Sequence, residues 1–274
     1  MIIGKNFFII EMPKTGTSFL RNYFKRYKDI SITTHHDTVE HNLKCNLFKK
    51  KFKIGIIRSP YSWYLSFWKW SCIKKNMSPL YKDLTSKRVK MKRLKFSSNI
   101  FKYLVSQISK DTNKLKQLFS DTNSKKNFNK VLKILLNTKY KNLISSDYSF
   151  MPHEKLGYMS YYFFYQNVLR KDYNILFKSN YSFDQMIKKL NSKIFTNYYF
   201  KTENLNQDLK KFLKKAKIKE KKTDNLDKNS TFDKNNKNIF RFFNKKNLQL
   251  IEKKEKYIFE KFKYKKISKK IKLP

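Results

Sequence analysis

The stretch FFIIEMPKTGTSFLRNYF, residues 7–24, decides the fold. Phe7 to Ile10 is a short, wholly apolar run, the pattern of a strand buried on both faces of a parallel sheet. Thr17 to Tyr27 reads as a helix, with Phe19, Leu20, Tyr23 and Phe24 on one stripe and Arg21, Lys25 and Arg26 on the other. The connection between them, Glu11-Met12-Pro13-Lys14-Thr15-Gly16, has the residue types that hold an anion. First-turn N–H groups point out of a helix N-terminus, the helix dipole favours negative charge there, and Gly16 lets the backbone approach closely. Thr15, Thr17 and Ser18 add hydroxyl donors, and Lys14 brings positive charge to the group being transferred. The loop is not the common nucleotide-binding form G-x-x-x-x-G-K-[ST], because Lys14 precedes its glycine.

Outward from this loop the same arrangement recurs. Phe52 to Ile57 is again strand-like and ends at Arg58, and Pro60 opens an aromatic-rich helix that runs to about Cys72. Arg58 therefore leaves a strand where open α/β sheets bind ligands, with a guanidinium fork that suits phosphate. Ser62 and Ser66 sit one turn apart on one helical face. Phe195 to Phe200 reads as a further strand, followed by a short helix ending near Lys214. Strand, loop and helix in alternation predict an α/β fold with a P-loop-like central parallel sheet flanked by helices. Residues 74–150 are Lys-rich with helical periodicity, as in Ile100-Phe101-Leu104-Val105-Ile108, and read as a helical insertion within one domain spanning 1–274. Met151 to Arg170 reads as a loop feeding a helix, Lys219 to Asn238 as a polar loop, and Lys245 to Tyr264 as a closing amphipathic helix.

The chain has 274 residues, 40% of them hydrophobic, which is ample for a core. It carries 64 Lys plus Arg against 20 Asp plus Glu, a formal net charge of +44. Such a field attracts phosphate, sulfate, nucleic acid or anionic polysaccharide. Lys, Asn, Ile, Phe and Tyr abound while Gly and Pro are scarce, the usage of an AT-rich genome, so much of the charge is expected on solvated faces rather than at one partner site. The few arginines carry more information than the lysines. Only Cys45 and Cys72 occur, which supports neither a zinc site nor a disulfide framework and fits a reducing cytosol. No stretch approaches the ~20 apolar residues of a membrane span, and MIIGKNFFIIEM reads as a first strand, not a signal peptide. A cytoplasmic protein of bacterial or phage origin is expected.

Two anion loops at the ends of two strands carry a family resemblance. PKTGTS resembles the 5′-phosphosulfate loop, and RSPYSWYLSFW the 3′-phosphate motif, of sulfotransferases that use 3′-phosphoadenosine 5′-phosphosulfate (PAPS), above all bacterial members related to the carbohydrate sulfotransferases. The resemblance implies that Lys14, Thr15, Gly16, Thr17 and Ser18 bind the phosphosulfate and that Arg58 and Ser66 bind the 3′-phosphate. Phe200 to Leu205, followed by Asp208, is similar to a late family segment containing Glu-Asn-Leu. Asn229-Ser230 looks like the loop that closes over the cofactor, and FEKFKY resembles the family's last helix. The chain departs from the pattern at Trp63, where a second Arg is common, and at Trp68, where Tyr is usual.

By this resemblance the chain is expected to move a sulfuryl group to a hydroxyl acceptor, a sugar or polysaccharide, by in-line transfer in which positioning and charge stabilisation dominate. Lys14 is the candidate that stabilises the bridging oxygen. A general base must take the acceptor's proton; His36 is the first candidate and His35 the second, with Glu40 and His153 behind them. No metal is expected, since neighbouring His residues on a strand face opposite ways and no ligand spacing completes His35, His36 and His41. The alternatives are a nucleotide-dependent kinase and a basic polyanion or nucleic-acid binding protein.

Overall fold

The computed structural model describes residues 1–33, 49–87, 100–221 and 239–268. It is an α/β structure that divides into two compact units. The first comprises Met1–Ser59, Tyr162–Asn174 and Ile187–Ser230, and the second Pro60–Tyr161, Ile175–Met186 and Thr231–Pro274.

The first unit holds a five-stranded sheet. Its strands are β1 (Ile2–Ile3), β2 (Phe7–Ile10), β3 (Ser31–Ile32), β4 (Phe52–Ile57) and β5 (Tyr198–Lys201), in the order β3-β1-β2-β4-β5. β2, β4 and β5 run parallel, with Ile9 opposite Ile54 and Ile56 opposite Phe200. The wholly parallel sheet expected from the sequence is instead mixed, because β1 pairs antiparallel with both β2 and β3. The single N-terminal strand is in fact a tight hairpin. Gly4, Lys5 and Asn6 turn the chain, and the Gly4 N–H donates to the Phe7 carbonyl at 2.9 Å.

Alternation along the strands sorts the core onto two faces. Phe7 and Ile9 of β2, Phe52, Ile54 and Ile56 of β4 and Phe200 of β5 share one cluster with Leu20, Tyr23 and Phe24 of α1 (Thr17–Phe24) and Leu209, Phe212 and Leu213 of a helix at Leu205–Lys215. Phe8 and Ile10 point to the opposite face, beside Met1 and Phe195. Each of these side chains contributes roughly 1.5–3 kcal/mol by leaving water. The last strand begins at Tyr198, later than the pattern indicates: the Phe195 N–H donates to Asn167 O at 2.8 Å and its ring stacks on Phe8. α1 ends at Phe24, earlier than expected, because the Arg26 and Tyr27 N–H groups bond three residues back, to Tyr23 and Phe24, and tighten the last turn.

The second unit is helical. α2 (Pro60–Ile73) is buried along most of its length, with Trp63 and Trp68 in the core and the Trp68 indole donating to Leu118 O at 3.0 Å. The described residues from 74 to 150 are helical, as α3 (Pro79–Thr85), α4 (Ile100–Ile108), α5 (Thr112–Gln117), α6 (Lys125–Leu136) and 3-10 turns. α7 (Tyr158–Asn167), α8 (Arg170–Tyr173), α9 (Phe183–Asn191) and α10, the Leu205–Lys215 helix, follow along the chain; α8 and α10 belong to the first unit, and α7 and α9 each have residues in both. The closing helix is two, α11 (Lys245–Lys254) and α12 (Lys256–Lys261), broken at Glu255, whose carboxylate turns inward. Among the described residues no helix is long and apolar enough to cross a membrane.

Candidate functional site

Three parallel strands end side by side, so the loops after Ile10, Ile57 and Lys201 emerge on one edge of the first unit. Side chains of those loops tie them together. The Arg58 guanidinium donates from Nη1 to Lys14 O at 3.0 Å. The Thr202 hydroxyl lies 2.8 Å from Thr15 O and 3.0 Å from Ile57 O, bridging all three strand ends. The Ser59 N–H donates to Glu203 Oε1 at 2.7 Å.

Beneath this edge is a buried ion pair. Glu11, fully buried, accepts from Arg21 Nε at 2.6 Å and again from Arg21 Nη2, while Arg21 Nη1 donates to Thr33 O at 2.8 Å. This fixes the start of α1 against the end of β2, because Arg21 is one turn inside the helix and Glu11 directly follows the strand.

The backbone of the loop is shaped for close approach. Lys14 has φ 63° and Gly16 φ 91°, both in the left-handed region. At Gly16 a side chain is excluded twice over, since an added Cβ would stand 2.7 Å from Leu205 Cδ2. Gly16 caps α1, no side chain caps the helix, and its first turn carries no acidic residue. The Thr15 hydroxyl turns inward and donates to Met12 O at 2.7 Å, so what Thr15 offers a ligand is its backbone. Thr17 is buried and Ser18 exposed.

Electrostatics distinguish Lys14 from the surface lysines. Burial, and then the adjacent Arg58 charge, push its pKa down from 10.5 to about 8. Two cationic side chains at one loop, next to the positive end of a helix, form a field that an oxyanion relieves.

The structure thus brings Lys14, Thr15, Gly16, Thr17, Ser18 and Arg58 to one edge of the first unit. Ser66 lies on α2 of the second unit and is fully buried, as are Trp63 and Trp68. His35, His36, His41, Glu40, Asn229 and Ser230 fall outside the described residues. His153 lies in the second unit, with its pKa lowered by burial. Among the described residues no group of three or more His, Cys, Asp or Glu could hold a metal ion. Thr202 and Glu203 are the partners that the residue pattern left without a role; they lie directly after a strand next to β4, within the Phe200–Leu205 segment that carries the family resemblance.

Comparison of the chain with protein-family models, with curated proteins and with solved structures gave no match.

Proposed function

We propose that the chain is a sulfotransferase that carries the sulfuryl group of PAPS to a hydroxyl acceptor, a sugar or polysaccharide. The observation that supports this reading is the junction of Lys14 and Arg58 at the glycine-capped start of α1. A 5′-phosphosulfate is an extended anion with a terminal SO₃, and a helix N-terminus with a lysine ahead of its glycine suits it. In the reaction the acceptor oxygen forms the new S–O bond while the bond from sulfur to the bridging oxygen breaks. The nucleotide leaves as adenosine 3′,5′-bisphosphate, and the acceptor's proton goes to a base, for which His36 and then His35 are the sequence candidates. Charge develops on the bridging oxygen, where the Lys14 ammonium stabilises it, and Arg58 serves the 3′-phosphate.

The kinase reading has less support. The carboxylate directly after β2, where a magnesium ligand is wanted, belongs to Glu11 and is consumed by Arg21. The deciding experiment is calorimetric titration with adenosine 3′,5′-bisphosphate, paired with transfer of labelled sulfate from PAPS to a panel of sugars, lipids and tyrosyl peptides. Binding of the bisphosphate and labelling of a sugar are expected. A folded protein that ignores the bisphosphate yet binds RNA with steep salt dependence rejects the reading in favour of a polyanion binder.

A further inference from the structure

The helix α4 (Ile100–Ile108) of the second unit is turned inside out. Its buried side carries polar groups. Tyr103 and Gln107 face inward, and the Tyr103 ring packs on Phe150 with 4.6 Å between centroids. Gln107 Nε2 donates to Asn142 O at 2.6 Å, and Gln107 Oε1 stands 2.8 Å from the Ser145 hydroxyl. Lys110, just past the helix and also buried, donates from Nζ to Ser86 O and to Ser145 Oγ, each at 2.9 Å. The side in water is hydrocarbon. Ile100, Phe101, Val105 and Ile108 are exposed, Phe101 at 78% and Ile108 at 69%, with Leu104 half-buried between them. At ~100° per residue these five side chains fall in one sector of about 140°, the width of a stripe that a surface helix ordinarily turns toward a core.

A contiguous apolar face of this kind marks a surface that something else covers. Its chemistry narrows the choice. The sector holds no hydrogen-bonding side chain and none of the Trp, Tyr or Arg anchors that dominate protein–protein contacts. Its margins are positive. Lys102 is exposed on α4, Lys87 donates from Nζ to Ile108 O at 2.7 Å at the helix end, and Lys139 is exposed on the 3-10 segment Thr138–Leu143, which packs on α4. Neither α4 nor that segment contains an acidic residue. The carboxylates of the flanking elements are engaged: Asp83 accepts from Tyr158 OH at 2.8 Å, and Asp111 pairs with Lys114 at 3.2 Å. In sequence, residues 88–99 ahead of α4, RVKMKRLKFSSN, add positive charge and no negative charge. A second copy of a chain with net charge +44 is repelled from such a face, and an anionic surface is drawn to it.

We propose that the exposed face of α4 is a docking surface for an anionic lipid bilayer, with the helix lying in the membrane plane, Phe101 and Ile108 at the acyl-chain boundary and the flanking lysines at the headgroup phosphates. Lysine suits the margin, because its stem runs along apolar surface while the ammonium stays with the phosphates. Neither half is sufficient alone. A few apolar side chains hold weakly, and the lysines add an attraction that salt screens; together they make an anchor. The helix rests on the bilayer and does not cross it. This docking is independent of the loop at Lys14 and of the proposed sulfuryl transfer.

The test is co-sedimentation of the full chain with vesicles of about 30% phosphatidylserine in phosphatidylcholine, at about 0.15 M salt. The double variant Phe101→Ser/Ile108→Ser changes two solvent-facing positions and keeps every charge; it is expected to bind roughly tenfold more weakly than the parent. Equal binding by the parent and the folded variant overturns the proposal, because charge alone then accounts for it. Equal binding of the parent to pure phosphatidylcholine overturns it too, since no anionic surface is then required. A second variant, Phe101→Trp, reads insertion directly. Its emission, taken as the difference from the parent, is expected to shift to the blue on the anionic vesicles and to be quenched by lipids brominated on the acyl chains. An unshifted, unquenched indole overturns the proposal. A parent that ignores the vesicles does the same; a dimer in sedimentation velocity that the double variant dissolves, or an acidic amphipathic peptide whose binding that variant loses, would then assign the face to a protein partner.

Discussion

Arg58 holds the loop before α1 by its backbone, donating from Nη1 to the carbonyl of Lys14 at 3.0 Å. The arginine is therefore both a charge at the site and a strut that positions the other charge. A lysine has no planar fork with which to perform both tasks. Arg58→Lys is predicted to weaken adenosine 3′,5′-bisphosphate binding nearly as much as Arg58→Ala. The loss is about tenfold to a hundredfold, from the ~1.5–3 kcal/mol of a hydrogen bond to a charged group. Titration calorimetry on both variants checks this, and full affinity in Arg58→Lys would show that charge alone suffices.

Lys14 gives the site a proton signature. Its pKa of about 8 lies below the ordinary 10.5 because of burial and Arg58. An anion bound beside it favours the charged form and raises that value. Between about pH 8 and 10 the free protein then holds fewer protons than the complex, so binding takes up protons and weakens as pH rises. At pH 8 the uptake is about half a proton, and near pH 6 it vanishes for this group. Titrations in two buffers of different ionisation enthalpy measure it. Binding without uptake at pH 8, or uptake that persists in Lys14→Met, is incompatible with this role for Lys14.

Gly16 is predicted to be irreplaceable for two separable reasons. Its φ of 91° strains any other residue, and a Cβ would press on Leu205 at 2.7 Å. Gly16→Ala should cost about 2–4 kcal/mol of stability, combining left-handed strain with overpacking. Adding Leu205→Ala removes the clash but not the strain, so the double variant should show positive coupling without full recovery. Urea unfolding of the four proteins gives the coupling, and strict additivity would mean that the two residues do not meet.

Much of the first unit is legible from residue pattern alone, for a physical reason. Phe7–Ile10 is an unbroken apolar run and Phe52–Ile57 is apolar but for Lys53 and Gly55, and such short apolar runs followed by a loop favour a strand buried on both faces. Arg58 and Lys14 were singled out because each follows such a run, and the structure does bring them together. The hairpin at Ile2–Ile3 was hidden because two residues carry no period. Thr202 was obscured for another reason: a hydroxyl that bridges Thr15 O and Ile57 O depends on two backbone atoms far away in sequence, and no local spacing records them. Glu255 was equally silent, since one acid in a Lys-rich tail reads as solvated surface.

Glu255 is nonetheless fully buried at the N-terminus of α7. One oxygen accepts from Tyr64 OH at 2.5 Å and Met159 N at 3.0 Å, the other from Ser160 N at 2.9 Å and Ser160 Oγ at 2.5 Å. Gly157 beside it has no room for a side chain, because a Cβ there would meet Glu255 Oε1 at 2.0 Å. Burial raises the Glu255 pKa above 4.5 despite the opposing hydrogen bonds from Ser160, Tyr64 and Met159. A carboxyl whose folded pKa is raised contributes stability that is fully present below the unfolded value and is lost as pH climbs through the folded one. Glu255→Gln carries no such titration, but it turns an amide donor toward the Ser160 donors and costs about 1–3 kcal/mol. The parent should therefore exceed the variant most at about pH 4, and the gap should narrow as pH rises. Urea midpoints of both proteins, taken across that range, isolate this one group because other carboxylates cancel in the difference. A gap that widens with pH would mean that the ionised carboxylate wins its helix N–H bonds outright, and that the desolvation argument for Glu255 is wrong.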